Sequence, residues 1–212
     1  MFISKIPSAF FLALFLMGSA GGAHAEDLAA DNCDPQAGER PRFCVQTTIF
    51  GTYELKELAS GGIPLTISLK GTTLDKYDLK NIAAAGPLTV LANSDRLGKY
   101  DLIELARAGA TVHVIGNASD LPFGKYDLLE LASAGVKLNL TIDAFKFSQY
   151  DLRELAAAGA LQVTYRSSRR LYSKQDLKEI VSGKAELYLL VDDASFNKYD
   201  LLELARAGLR LN

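Results

Sequence analysis

A block of thirteen residues recurs along this chain and constrains its fold more than any other feature. Four copies are nearly identical: LGKYDLIELARAG, FGKYDLLELASAG, FSQYDLRELAAAG and FNKYDLLELARAG. With three more divergent copies, the same position recurs every 23–26 residues, at Tyr53, Tyr77, Tyr100, Tyr126, Tyr150, Gln175 and Tyr199. A fixed period of this length is the signature of a repeat architecture. The sequence therefore predicts seven repeats over residues 50–212.

Each repeat carries the start and stop signals of a helix. An N-cap residue stands three positions before an acidic residue, and the apolar residue before the cap faces a leucine at the fourth helical position. About ten helical residues then end at a glycine, which predicts a left-handed C-terminal cap. The predicted N-caps are Gly51, Asp75, Gly98, Gly124, Ser148, Ser173 and Asn197, and the terminal glycines are Gly62, Gly86, Gly109, Gly135, Gly159 and Gly208. The sixth repeat has Gly183-Lys184 at this place, which predicts a looser helix end.

Short runs of alternating apolar and polar residues follow the helices, from IPLTISL in the first repeat to LRLN in the last. Such alternation predicts half-buried strands, and right-handed helical crossovers would make them parallel. The predicted fold is an α/β solenoid of seven helix–strand repeats of about 24 residues with a curved parallel sheet. Its period and alternation resemble leucine-rich-repeat proteins in architecture only, because the asparagine or cysteine that follows the leucine strand in that family is missing.

The residues before the repeats predict export. Residues 1–25 combine Lys5, an apolar run and the small residues Ala23 and Ala25 before Glu26, as in a cleaved signal peptide; a retained membrane anchor is the alternative. Residues 26–49 would form an N-terminal cap closed by a disulfide between Cys33 and Cys44, with a metal or redox pair as weaker alternatives. We therefore expect a periplasmic or secreted protein.

Charge argues against two classes of partner. The whole chain has a net charge of −2, and loss of Lys5 with the signal peptide leaves −3. So small a negative charge provides no long-range attraction to nucleic acid or to an anionic membrane.

The acidic residues of the repeats could form a calcium site. Stacking would align the aspartates Asp78, Asp101, Asp127, Asp151, Asp176 and Asp200, and oxygen ligands in register suit calcium. However, each aspartate has a capping role. A lysine two residues earlier is expected to neutralise five of these acids: Lys76, Lys99, Lys125, Lys174 and Lys198. We expect no metal site and no cofactor.

Short motifs of common catalytic sites are missing. The sequence contains no H-E-x-x-H, no G-x-S-x-G and no Walker loop. His113 is the one histidine after residue 25, so neither a zinc site nor a serine–histidine triad is easily assembled. At an outward strand position, His113 is expected to be a solvated surface residue. These absences predict that the chain is not an enzyme.

Comparison among the repeats separates a constant strand face from a variable one. The constant, inward set is Leu65, Ile67, Leu88, Val90, Val112, Val114, Leu138, Leu140, Leu161, Val163, Leu187, Leu189 and Leu211. The outward set is mixed, as expected for either a recognition surface or a plain solvated sheet. The candidate binding residues on this face and in the next loop are His113, Asn139, Thr141, Gln162, Thr164, Arg166, Arg169, Arg170, Glu186 and Tyr188. The three arginines could hold an anion together with the helix start at Ser173.

The sequence thus predicts an exported, non-enzymatic scaffold that binds a protein or an extracellular polymer. One alternative is a hydrolase or carbohydrate-active protein that uses carboxylates and Tyr188. Another is a self-assembling structural subunit. The last strand, around Leu211, is expected to be open to pairing with a second copy.

Overall fold

Helices and strands alternate along the whole described chain. The computed structural model describes residues 43–44, 49–93 and 96–211, with the backbone alone at 43–44. The strands are β1 (Phe43–Cys44), β2 (Leu65–Ser68), β3 (Leu88–Ala92), β4 (Thr111–Asn117), β5 (Lys137–Ile142), β6 (Leu161–Arg166), β7 (Glu186–Leu190) and β8 (Arg210–Leu211). The helices are α1 (Thr52–Ser60), α2 (Lys76–Ala85), α3 (Lys99–Arg107), α4 (Lys125–Ser133), α5 (Gln149–Ala158), α6 (Lys174–Ser182) and α7 (Lys198–Arg206), and a 3₁₀ turn occupies Ser167–Arg169.

The strands form one parallel sheet. Their order is β1 to β8, so each strand pairs with its neighbours in sequence. The predicted α/β fold with a parallel sheet and alternating helices is confirmed. The seven predicted strands correspond to β2–β8, and β1 adds an eighth that the alternation did not reveal. The predicted signal peptide, the Cys33 side of the disulfide and most of the N-terminal cap lie outside the described residues. The side chain of Cys44 is not described either, so the disulfide stays a prediction.

Apolar side chains from the strands and helices form a single core. The inward residues of β2–β7 are buried, as predicted, whereas Leu211 on β8 is 43% exposed. The leucine at the fourth helical position is fully buried in α1–α6, as expected for the hydrophobic staple. In residues 49–93 and 96–211, no helix combines the length and the apolar character needed to cross a membrane.

The predicted helix starts are confirmed in α2–α7. In α6, Ser173 accepts a hydrogen bond from the backbone N–H of Asp176, and the Asp176 carboxylate accepts one from the N–H of Ser173 at 2.8 Å. At the glycine caps the second bond alone is made, as between Gly124 N–H and Asp127 Oδ2 at 3.1 Å. Either bond satisfies a helix-end donor that would otherwise lack a partner.

The helix ends follow two patterns where one was predicted. Gly62, Gly109, Gly135 and Gly208 have φ between +80° and +103°, as a left-handed cap requires. Gly86 and Gly159 were assigned the same role wrongly, because both have extended backbones with φ of 177° and −174°. In the sixth repeat, the left-handed residue is Lys184, with φ of 73°.

Lysines at the helix starts connect successive repeats. The sequence led us to pair each lysine with the aspartate two residues later, and this is wrong. Lys99 Nζ lies 2.7 Å from Oδ1 of Asp127 on the next helix and 3.0 Å from Oε2 of Glu130. Lys76, Lys125 and Lys174 make the same pair of contacts one repeat on. The ion pairs therefore join helices to each other and do not neutralise a helix's own cap.

Candidate functional site

The predicted binding residues lie on four neighbouring strands and the loop that follows them. His113 lies on β4, Asn139 and Thr141 on β5, Gln162, Thr164 and Arg166 on β6, Arg169 and Arg170 after β6, and Glu186 and Tyr188 on β7. The register aligns them in rows across the open face of the sheet, for example Asn139 beside Gln162 and Thr164 beside Tyr188. The strand residues thus form one continuous surface, which we call the open sheet face.

Hydrogen bonds connect three side chains of the open sheet face in a line. Nδ2 of Asn139 donates to Oε1 of Gln162 at 2.8 Å. The amide oxygen of Asn139, Oδ1, lies 3.2 Å from Nδ1 of His113. Because an amide oxygen can only accept, a hydrogen bond at this contact requires the His113 tautomer with its proton on Nδ1. His113 is half-buried and part of a network, so the expectation of a solvated surface histidine is wrong.

A second cluster closes the open sheet face at β7 and β8. Arg210 donates to the Tyr188 hydroxyl at 2.6 Å and to Glu186 Oε1 at 3.2 Å, and its guanidinium lies 5.2 Å from the Tyr188 ring centre. The sequence reasoning missed Arg210, because LRLN is too short to show which side chains share a face. The predicted residues Glu186 and Tyr188 therefore bind a partner on the same chain.

Asp192 organises the loop at the carboxyl end of β6. Its carboxylate accepts from the Ser168 N–H at 2.9 Å, from the Ser168 hydroxyl at 2.7 Å and from the buried Ser167 hydroxyl at 2.9 Å. These bonds, led by the one from the Ser168 backbone, lower the pKa of Asp192 to about 2. Asp192 is therefore a permanent anion that fixes the loop after β6 to the loop after β7.

The arginines of this loop are partly paired with carboxylates. Arg166 lies 3.7 Å from Asp192. Arg170 donates to Ser195 Oγ at 3.1 Å and to Asp193 Oδ2 at 3.4 Å. Two of the three arginines of the predicted anion site thus already contact carboxylates, and their joint binding of an anion stays a prediction. Asp192, Asp193 and Ser195 were missed, although the acidic pair in DDAS stands one repeat period after the basic RSSRR, which is the signal that could have revealed them.

A cleft opens beside these two loops, between the starts of α6 and α7. Its volume is about 590 Å³. The residues that line it are Ser167, Arg170, Tyr172, Ser173, Lys174, Ala194, Ser195, Phe196 and Asp200. Polar and charged side chains from two repeats thus meet at the carboxyl edge of the parallel sheet, where ligands of open α/β sheets characteristically bind. Within the described residues, no group of three or more His, Cys, Asp or Glu side chains could hold a metal ion.

The repeated tyrosines form a separate surface on the helices. Tyr53, Tyr77, Tyr100, Tyr126, Tyr150 and Tyr199 are 58–75% exposed. The repeated block predicts helix caps and buried core positions, and its tyrosine serves as neither. A residue kept at six of seven equivalent positions without being buried has no packing role there.

No protein-family model and no curated protein matches this chain. Several solved structures do. One is 2,3-dimethylmalate lyase, a PEP mutase/isocitrate lyase superfamily member, with 15% identity, 79% of this chain and 72% of that chain covered, and a TM-score of 0.35. A second is an HpcH/HpaI aldolase from Desulfitobacterium hafniense, with 8% identity, 79% of this chain and 83% of that chain covered, and a TM-score of 0.38. A third is the aldolase QR15, with 12% identity, 80% of this chain and 87% of that chain covered, and a TM-score of 0.35.

These three structures are enzymes, and the prediction of a non-enzymatic scaffold or structural subunit is withdrawn. That prediction rested on missing motifs, each of which marks particular enzyme families, so their absence excludes those families alone. At identities of 8–15% and TM-scores of 0.35–0.38, the likeness assigns no reaction or substrate to this chain.

Proposed function

We propose that this protein binds a small hydroxylated acid in the cleft between the starts of α6 and α7. Arg170 would hold the acidic group of the ligand, and Ser195 with the neighbouring carboxylates would bind its hydroxyl groups. The location supports this assignment, because the carboxyl ends of parallel strands and the loops after them form the usual binding edge of α/β sheets.

The backbone of Arg170 is the observation that carries the proposal. Arg170 has φ of 51° and ψ of 30°, a left-handed conformation that is uncommon outside glycine and costs of order 1 kcal/mol. Arg170 ends the 3₁₀ turn in this conformation, and its 74% exposed side chain lines the cleft. The bonds to Ser195 and Asp193 hold the guanidinium at the cleft. Strained residues that point a charged group into a cleft are typical of binding sites.

The polar groups of the cleft define the chemistry of the ligand. Arg170 uses two of its five N–H donors on Ser195 and Asp193, and the others suit a carboxylate or a phosphate. Lys174 remains a cation, because its hydrogen bonds to Glu203 and Asp200 raise its pKa. The Asp200 carboxylate, which lines the cleft, can accept hydrogen bonds from hydroxyl groups. Positive donors beside acceptor carboxylates fit a molecule that carries both an acidic group and hydroxyls.

The same proposal includes the finer architecture. We infer a seven-repeat solenoid of the leucine-rich-repeat type of architecture, in which the cleft belongs to the joint between the sixth and seventh repeats. Three observations support it: the sequential strand order, the lysine ion pairs between successive helices at four of the joints, and the recurrence of both at the repeat period.

Calorimetric titration tests the proposal with three probes: inorganic phosphate, gluconate and neutral glucose. We expect gluconate to bind more tightly than either of the others, since it alone carries both an acidic group and hydroxyls. Arg170→Gln should weaken gluconate binding at least tenfold. The control is Arg107→Gln, which removes an exposed arginine from the last turn of α3. Equal binding of glucose and gluconate, or an unchanged affinity in R170Q, would contradict the proposal.

A further inference from the structure

Six tyrosine rings stand in a row along the helix starts. We call Tyr53, Tyr77, Tyr100, Tyr126, Tyr150 and Tyr199 the tyrosine row. Each is the second residue of its helix. The neighbouring helices contact each other in sequence order, so the rings follow one another along one side of the molecule. No hydrogen bond joins any of the six hydroxyls to a described residue, and every ring is more than half exposed.

The rings are held in place from one side by cations. Lys99 Nζ lies 4.9 Å from the centre of the Tyr100 ring, and Lys198 lies equally close to Tyr199. Lys76 and Lys125 contact their tyrosines at 5.4 and 5.9 Å. Lys76, Lys99 and Lys125 are themselves fixed by ion pairs to the next helix. Rings that are already held in place lose little conformational entropy when a ligand binds, and this preorganisation favours affinity.

We propose that the tyrosine row is a docking surface for a proline-rich peptide in the polyproline II conformation. Spacing is the first argument. Packed helices lie about 8–10 Å apart, so successive rings recur at about that interval. Polyproline II has three residues per turn and rises about 3.1 Å per residue, which is about 9.3 Å per turn. One turn of such a peptide therefore spans one repeat, and equivalent prolines meet successive rings.

Hydrogen bonding and charge are the second argument. The carbonyls of polyproline II have no internal partners, and tyrosine hydroxyls are donors suited to them. Aromatic surfaces are the established way in which proteins recognise this conformation. Each bridging lysine along the row, such as Lys99, faces two carboxylates, here Asp127 and Glu130, so the surface carries a small excess of negative charge. Such a surface does not attract a polyanion. A proline-rich peptide without charges can bind to it at a small cost in desolvation free energy.

The interruption of the row defines the length of the partner. Gln175 replaces tyrosine in α6, so five rings from Tyr53 to Tyr150 are consecutive and Tyr199 stands apart. Five rings at one turn each correspond to about 15 residues of polyproline II. Peptides shorter than this should bind more weakly, and longer ones should gain little.

Fluorescence polarisation with a dye-labelled 15-residue polyproline peptide tests this inference. We expect wild-type protein to bind and the triple variant Tyr77→Ala, Tyr100→Ala, Tyr126→Ala to lose at least tenfold in affinity. Phe145→Ala is the matched control, because Phe145 is 65% exposed but lies outside the row. Circular dichroism shows whether the triple variant is folded. If it is not, the single variant Tyr100→Ala, expected to lose about threefold, replaces it.

Three results would overturn the inference. The wild type could fail to bind the peptide, the tyrosine variants could bind it as well as the wild type does, or Phe145→Ala could weaken binding as much as they do. A competition with the neutral glycan cellohexaose distinguishes a different partner. If cellohexaose binds through the same tyrosines and the peptide does not, the surface recognises sugar rings and the peptide proposal is wrong.

Discussion

Gly86 stands so close to Ala59 of the preceding helix that a Cβ on Gly86 would lie 2.0 Å from the Ala59 carbonyl oxygen. The same contact recurs between Gly159 and Ala132, where the distance would be 2.7 Å. Both glycines follow the two longest helices, α2 and α5, which have ten residues each. At these positions the helix end lies against the backbone of the previous repeat, and only a residue without a side chain fits there.

We therefore expect Gly86→Ala to destabilise the protein by about 3 kcal/mol, because the clash is with backbone and forces two repeats apart. Urea denaturation measures the loss as a decrease in the free energy of unfolding. Gly98→Ala is the control: its φ is −76°, and the nearest atom to its Cβ would be 3.9 Å away. If both variants unfold at the same urea concentration, the close approach has no energetic weight.

Tyr165→Phe should cost about 1–3 kcal/mol although it preserves the ring. The Tyr165 side chain is fully buried, and its oxygen accepts hydrogen bonds from the N–H groups of Leu171 at 2.8 Å and of Tyr172 at 3.3 Å. Phenylalanine leaves both donors without their partner, and unsatisfied buried donors are costly. Tyr150→Phe, at an exposed ring, should change stability by less than about 0.5 kcal/mol. Equal effects in equilibrium unfolding would show that the Tyr165 oxygen contributes nothing.

Stability should fall in acid as the carboxylates that join the helices become protonated. Hydrogen bonds from Lys174 and Lys178 lower the pKa of Glu203 to about 2, and the hydrogen bond from Lys99 lowers that of Asp127. The unfolded values are about 4.3 and 3.9. Because the folded pKa values are the lower ones, the stabilisation is complete above about pH 5. It is lost as pH falls from about 4 through 2.

Thermal melts between pH 2 and pH 7 check this dependence. In Lys174→Met the pKa values of Asp200 and Glu203 should return towards normal, so its melting temperature should fall less steeply below pH 4 than that of the wild type. Lys137→Met removes an exposed lysine of β5 and serves as the control. Parallel curves for the wild type and K174M would count against a role of the ion pairs.

We predict that the outer edge of β8 pairs with a second copy of the chain. β8 pairs with β7 on one side, no described strand covers its other side, and Leu211 is 43% exposed. Exposed strand edges readily pair with other chains. We expect analytical ultracentrifugation to show concentration-dependent dimers that Leu211→Asp abolishes. Leu202→Asp, at a helical leucine that is 54% exposed, should leave the dimer intact. A wild type that stays monomeric at high concentration would refute this prediction.

Local sequence signals were sufficient to predict the helices and strands. The contacts between repeats could not be predicted from them. The capping pair of Ser173 and Asp176 lies within four residues, so its chemistry can be read from the sequence. Lys76 has Asp78 two residues away and yet bonds to Asp101 on the next helix. Choosing between these acids requires the offset between stacked helices, which no single repeat contains. The glycines that cap a helix in the left-handed conformation and those that lie against the preceding helix could not be told apart for the same reason.

The sequence predicted about half of the residues of the candidate site. The charge of RSSRR drew attention to Arg170, and alternation placed Gln162 and Tyr188 on the same face of the sheet. The carboxylates that hold Arg166 and Arg170 come from the next loop, 23–26 residues on. The strain at Arg170 is a property of the backbone and has no sequence signal of its own.

The lysine ion pairs have a mechanical consequence. Gln149 stands where five other helices have lysine. Between α5 and α6 the role passes to Arg153 and Glu179, which lie 3.0 Å apart and nearer the middle of each helix. At this fifth joint the helix starts lack the lysine bond, and one ion pair farther along the helices takes its place. Helices α5 and α6 nevertheless pack closely along their length. The strength of this joint should therefore depend less on salt concentration than that of the joints that the lysines bridge.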